Sequence, residues 1–78
     1  MNKNVILYST PFCHFCHLAK QYFSEKGIAF VEVDVAEDDV RRQEMMHKSG
    51  QLGVPVIEIG EQVIIGFNRP RIEELLSV

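Results

Sequence analysis

The sequence predicts an α/β domain with the element order β-α-β-α-β-β-α and a four-stranded mixed sheet. Three observations carry that class. Val5-Ile6-Leu7 is a run of consecutive apolar residues with turn formers behind it, the pattern of a strand covered on both faces. From Cys13 onward apolar residues recur every three or four positions, which is helical spacing. Near the end, two short apolar runs flank Gly60-Glu61, a two-residue connection with glycine first that suits a type II′ hairpin.

Taken in order, the first strand is expected over Lys3 to Tyr8 and stops at Ser9-Thr10-Pro11. The first helix opens at Cys13. Its apolar stripe is Phe15, Leu18, Ala19, Tyr22 and Phe23, with Lys20, Gln21, Ser24 and Glu25 facing out and Gly27 as the stop. Ala29 to Val35 reads as the second strand, where Glu32 and Asp34 interrupt the apolar residues and mark one less buried face. The second helix, roughly Asp38 to Ser49, has acids at its start, Lys48 near its end and Gly50 beyond it, as the helix dipole favours. It is mostly polar, so only Val40, Met45 and Met46 are expected to be buried. Val54 to Ile59 and Gln62 to Ile65 form the hairpin strands. Asn68 then suits an N-cap, Pro70 a first turn, and Ile72, Leu75 and Leu76 an apolar stripe.

A right-handed β-α-β crossover makes the first two strands parallel, and the hairpin adds antiparallel on the other side. The expected strand order is 2-1-3-4. Helices one and three would share one face of the sheet and helix two would cover the other.

With 78 residues, of which 46% are hydrophobic, the chain reads as one domain over 1–78 with enough apolar side chain for a small core. Eight Lys and Arg against eleven Asp and Glu give a net charge of −3 and no basic stripe for a phosphate backbone, which argues against nucleic acid. The opening apolar run is interrupted too soon for a signal peptide or a membrane span. A cytoplasmic location is therefore expected, a setting in which a transient catalytic disulfide is more usual than a lasting structural one, and the protein is expected to be a monomer.

The chemistry centres on Cys13-His14-Phe15-Cys16, the only cysteines in the chain. Thiol–disulfide exchange needs a thiolate, and helix N-termini and Cys-X-X-Cys motifs favour that form. Cys13, where unpaired N–H groups leave the helix, is the expected nucleophile. Cys16, one turn in and more buried, is the expected resolving thiol. His14 either supports the Cys13 thiolate as a cation or is simply solvated. Other chemistries use similar spacing. Cys13 to His17 matches the C-x-x-C-H haem-attachment signature, but a short chain committed to a sheet leaves little room for haem. A structural zinc site needs a second ligand pair, and His47 stands alone on a polar segment. Two cysteines buried merely as apolar residues would not be placed at a helix start. No metal site is expected. An iron–sulfur or metal carrier using the Cys13 thiolate is the alternative from another class.

Tyr8 to Cys16, the Val54-Pro55 pair after Ser49-Gly50, and Gly66-Phe67-Asn68 before the last helix together resemble the glutaredoxin family over the whole length. The similarity extends to its small members, which include redoxins serving ribonucleotide reductase. The resemblance implies a thioredoxin fold and a dithiol mechanism at Cys13 and Cys16. It also implies a cis Pro55, with Val54 pairing to the substrate backbone. Substrate would be bound by Pro11, Phe12, His14, Phe15, Val54, Pro55, Gly66, Phe67 and Asn68. No tightly bound cofactor is implied. The implied partners are disulfide-containing client proteins, ribonucleotide reductase among them, with glutathione as cosubstrate or thioredoxin reductase as electron donor. His14 stands where glutaredoxins usually carry proline, and Thr10 where many carry a lysine for a glutathione carboxylate. Ile65-Gly66 and Asn68-Arg69 likewise replace a Gly-Gly pair and an aspartate cap, leaving Asn68, the third helix N-terminus, Arg69 and Arg71 as candidates for a carboxylate.

Overall fold

A computed structural model describes residues 3–77. β1 (Val5–Ser9) lies inside the sheet, parallel to β2 (Val31–Asp34) and antiparallel to β3 (Val56–Ile59). β4 (Gln62–Ile65) pairs antiparallel with β3, so the order is β2-β1-β3-β4, as expected. The helices are α1 (His14–Glu25), α2 (Asp39–Ser49) and α3 (Arg69–Leu76).

The period of two along the strands divides the core into two layers. Val5, Leu7, Ile57, Ile59 and Ile64 pack with Ala19, Tyr22 and Phe23 of α1 and Ile72 of α3. Tyr8, Val33, Val35 and Val56 pack with Met45 of α2 on the opposite face. The placement of α1 and α3 together, with α2 alone across the sheet, is that expected from the chain order.

Two turns show why the connections hold. Gly60 has φ +60° and Glu61 does not take a positive φ, which selects the II′ over the I′ turn and sets Ile59 opposite Gln62. Gly50 ends α2 in the left-handed region at φ +76°, its N–H donating to Met46 O at 2.7 Å.

Several expectations are corrected. β1 runs to Ser9 because its ladder with β2 continues to the Ser9–Asp34 pair, while Lys3 and Asn4 precede it. β2 is shorter than Ala29 to Val35, and β3 starts at Val56 because its ladder with β1 ends at the Tyr8–Val56 pair. Of the three apolar contacts expected from α2, only Met45 is buried; Val40 is 75% exposed and Met46 is also exposed. Those two point away from the one sheet face that α2 covers. Phe15 leaves the α1 stripe, 57% exposed, and Cys16 takes its place in the core at 0%. Among the described residues no helix is long and apolar enough to cross a membrane.

Candidate active site

β1 delivers the chain into a tight turn, closed where Cys13 N–H donates to Thr10 O at 3.4 Å. Cys13 then leaves the turn with extended backbone (φ −91°, ψ 113°) and serves as the N-cap of α1. Its Sγ accepts the Cys16 N–H at 3.1 Å, and its carbonyl accepts His17 N–H at 3.2 Å. A sulfur at an N-cap sees the partial positive charge of the first turn, which stabilises a thiolate. Nε2 of His17 lies 3.1 Å from Pro11 O, tying the turn back to the helix.

The two sulfurs differ in environment. Both are free thiols; Cys13 is half-buried and Cys16 fully buried. Burial, and then the hydrogen bond with Cys13, push the Cys16 thiol up to about 12, while the Thr10 backbone and the Lys20 ammonium act in the opposite direction. Cys16 therefore holds its proton at neutral pH while Cys13 accepts a hydrogen bond at its sulfur. His14 is exposed, with its ring edge-on to Phe15 at 5.5 Å between centroids.

Beside this turn lies an open groove of about 610 Å³. Six residues expected to bind substrate line it: Phe15, Val54, Pro55, Gly66, Phe67 and Asn68. The exposure of Phe15 is explained here, since its ring meets the groove rather than the core. The Val54–Pro55 peptide is cis, and Pro55 O accepts Gly66 N–H at 2.9 Å, which fixes the loop after β4 beside it. Pro11, Phe12 and His14 are exposed and do not line the groove; Phe12 is 96% exposed. Cys13 and Cys16 lie outside its lining too, with Phe15 as the link between sulfurs and groove.

Ile65, Arg69 and Pro70 complete the lining. The α3 N-terminus offers little to an anion. Asn68 Oδ1 accepts Arg71 N–H at 3.3 Å and Pro70 has no N–H, so of its first three residues only Arg69 has a backbone N–H without a capping partner. The arginines are engaged as well. Arg69 pairs with Glu73 at 3.3 Å and lies 4.8 Å over the Tyr22 ring, and Arg71 pairs with Glu74.

A second polar cluster, which residue patterns did not single out, joins β1, α1 and β2. Ser9 is buried at 1% exposure and donates to Glu32 Oε2 at 2.8 Å; the same oxygen pairs with Lys20 Nζ at 3.0 Å. The Ser9 hydroxyl and Lys20 together hold the Glu32 carboxyl below its ordinary range, chiefly through the lysine. The Cys16 to Lys20 spacing of four was the available signal; the approach of Glu32 requires the sheet pairing. Among the described residues, no three His, Cys, Asp or Glu side chains stand together as a metal-holding group.

A glutaredoxin family model matches residues 5–64. The chain is 47% identical over 71 residues to an uncharacterized glutaredoxin-like 8.6 kDa protein in the rubredoxin operon of Clostridium pasteurianum, covering 91% of this chain and 95% of that one. It is 40% identical over 63 residues to glutaredoxin 3 of Escherichia coli, covering 81% and 76%. In fold it is similar to the glutaredoxin crystal structure from Archaeoglobus fulgidus, with a TM-score of 0.87 at 20% identity over 97% of this chain and 88% of that one.

Proposed function

The chain belongs to the glutaredoxin family of thiol–disulfide oxidoreductases and has its thioredoxin fold, and on that premise we propose that it reduces protein disulfides with Cys13 as nucleophile and Cys16 as resolving thiol. The observation that carries this reading is the 3.1 Å hydrogen bond from Cys16 N–H to Cys13 Sγ, beside a Cys16 thiol that burial keeps protonated. Both observations support Cys13 as the sulfur that starts the reaction.

The Cys13 thiolate attacks one sulfur of a client disulfide, forms a Cys13–client mixed disulfide and expels the other client sulfur as a thiolate. Cys16 then gives its proton to solvent and attacks Cys13 Sγ. The mixed disulfide breaks, the client leaves as a thiol after taking up a proton, and a Cys13–Cys16 disulfide remains. Two electrons have passed from the cysteine pair to the client, and a donor returns them. The groove from Phe15 across Val54 and Pro55 to Phe67 supports docking of an extended apolar client segment, with the Val54 backbone pairing to it.

Of the two donors, the site favours a protein reductase over glutathione. Glutathione carries two carboxylates, and the one arginine in the groove is already paired with Glu73 and stacked on Tyr22. Turnover with glutathione plus its reductase, set beside turnover with thioredoxin reductase, tests this; faster turnover with glutathione would overturn it. The division of labour is tested by a disulfide-reduction assay. Cys13→Ser should abolish activity and Cys16→Ser should stall on a trapped mixed disulfide, whereas full activity of Cys13→Ser excludes the mechanism.

A further inference from the structure

We propose that Lys20, anchored by Glu32 and Ser9, is a positioning residue for the second half of the reaction, its ammonium favouring the Cys16 thiolate that resolves the mixed disulfide. This role rests on the dithiol mechanism and falls to a cluster that the mechanism otherwise leaves unused.

Cys16 and Lys20 stand four residues apart on α1, a spacing that puts side chains on one helix face with Cβ atoms about 5–6 Å apart. A free lysine there would extend into solvent. Here the ammonium is held: Glu32 Oε2 takes Lys20 Nζ at 3.0 Å, and that same oxygen is fixed from the other side by the buried Ser9 hydroxyl at 2.8 Å. The sheet supplies this anchor. In the parallel β1–β2 pair Leu7 stands beside Glu32, so Glu32 is on the face that α1 covers, as are Leu7 and Ser9.

The charged and titratable groups facing the cluster are few. Cys16 feels the charges of Cys13 and Lys20, and Glu32 those of Lys20 and His17. While Cys13 is a thiolate, its charge opposes a second thiolate at Cys16. Once Cys13 is tied up in the mixed disulfide that opposition ends. What remains against the Cys16 thiolate is burial, and the side-chain charge in its favour is Lys20. In the resolving step Cys16 loses its proton to solvent, its electron pair forms the Cys13–Cys16 bond, and the client sulfur leaves with the pair of the broken bond.

The size of the effect follows from two opposed dependences. A thiol whose pKa rises by about one loses about tenfold in thiolate at any pH below that pKa, yet the less acidic thiol is intrinsically the better nucleophile, with a Brønsted slope of about 0.4–0.5. Each tenfold of thiolate lost on removing the charge therefore slows resolution about threefold.

The experiment is rapid mixing of reduced protein with equimolar dithiobis-nitrobenzoate. The first nitrothiobenzoate released reports Cys13 attack and the second reports Cys16 resolution. Lys20→Met should slow the second release about threefold at neutral pH and leave the first unchanged, and Lys20→Arg should restore it. A second release in Lys20→Met as fast as the parent's, or one slowed equally by Lys20→Arg, overturns the role for Lys20. If Cys16→Ser releases the second nitrothiobenzoate as fast as the parent, the resolving assignment itself fails, a result distinct from either.

Discussion

The Cys16 backbone N–H donates to Cys13 Sγ across 3.1 Å, so the sulfur proposed to attack disulfides is also the N-cap of the helix that carries the second sulfur. Reactivity and helix capping are therefore coupled in one side chain, and substitutions can separate them.

Cys13→Ser and Cys13→Ala should both be inactive, but they should differ in stability. Serine is among the preferred N-cap residues and alanine cannot accept the Cys16 N–H, which costs about 0.5–2 kcal/mol. Urea denaturation of the two reduced variants checks this; equal midpoints would show that the cap contributes nothing.

The reduced protein should lose stability at alkaline pH because of Cys16. Its folded-state pKa lies near 12, above an ordinary value of 9.0. The folded chain thus holds the proton more tightly than the unfolded chain. That contribution is complete below about pH 9 and is lost as pH rises toward 12. Tyr8 and Tyr22, raised mainly by burial, act in the same direction. The diagnostic is therefore a difference: the alkaline fall in unfolding free energy should be shallower in Cys16→Ser than in the parent.

On the other face of the sheet, the buried Tyr8 hydroxyl donates to Glu44 Oε2 at 2.7 Å, and this bond is the main cause holding the Glu44 carboxyl below its ordinary 4.5. Tyr8→Phe should cost about 1 kcal/mol at neutral pH, a figure reduced for the partial exposure of Glu44. A lowered carboxyl stabilises the fold above its unfolded-state pKa, and the contribution is lost as pH falls through the folded one. The Tyr8→Phe difference should therefore shrink below about pH 4.5 in acid denaturation.

Phe15→Ala should separate docking from folding. The ring is 57% exposed and lines the groove, so its loss should change stability by no more than about 0.5 kcal/mol. With a protein disulfide as substrate, KM should rise while kcat holds. An unchanged KM would remove Phe15 from the docking surface.

α2 gives the plainest contrast between a pattern and a position. Met45→Ala, at a fully buried site, should cost about 2–5 kcal/mol, whereas Val40→Ala should change little. Thermal unfolding of the two variants checks the difference.

Much of this protein was legible one segment at a time. The element order, the Gly60 hairpin, the Asn68 cap and the cysteine pair at a helix start each depend on backbone preferences and periodicities within a few residues, and these are local properties of sequence. The strand order followed as well, because handed crossovers leave few arrangements for so short a chain. Where residue patterns misled, the cause was always a neighbour distant in sequence. Phe15 has helical spacing suited to the core, yet it meets an open groove made by Pro55 and Phe67, while Cys16 fills the space over the sheet. Val40 and Met46 are apolar, but one sheet face accepts only one narrow stripe of α2. Glu32 looked like a solvated strand residue until β2 paired with β1 and brought it to Ser9 and Lys20. Sequence alone determined that a thiol pair would begin a helix after a strand. Only the tertiary structure decided what each sulfur faces, because burial, groove and ion pair are built from residues that β-pairing and helix packing bring together from separate parts of the chain.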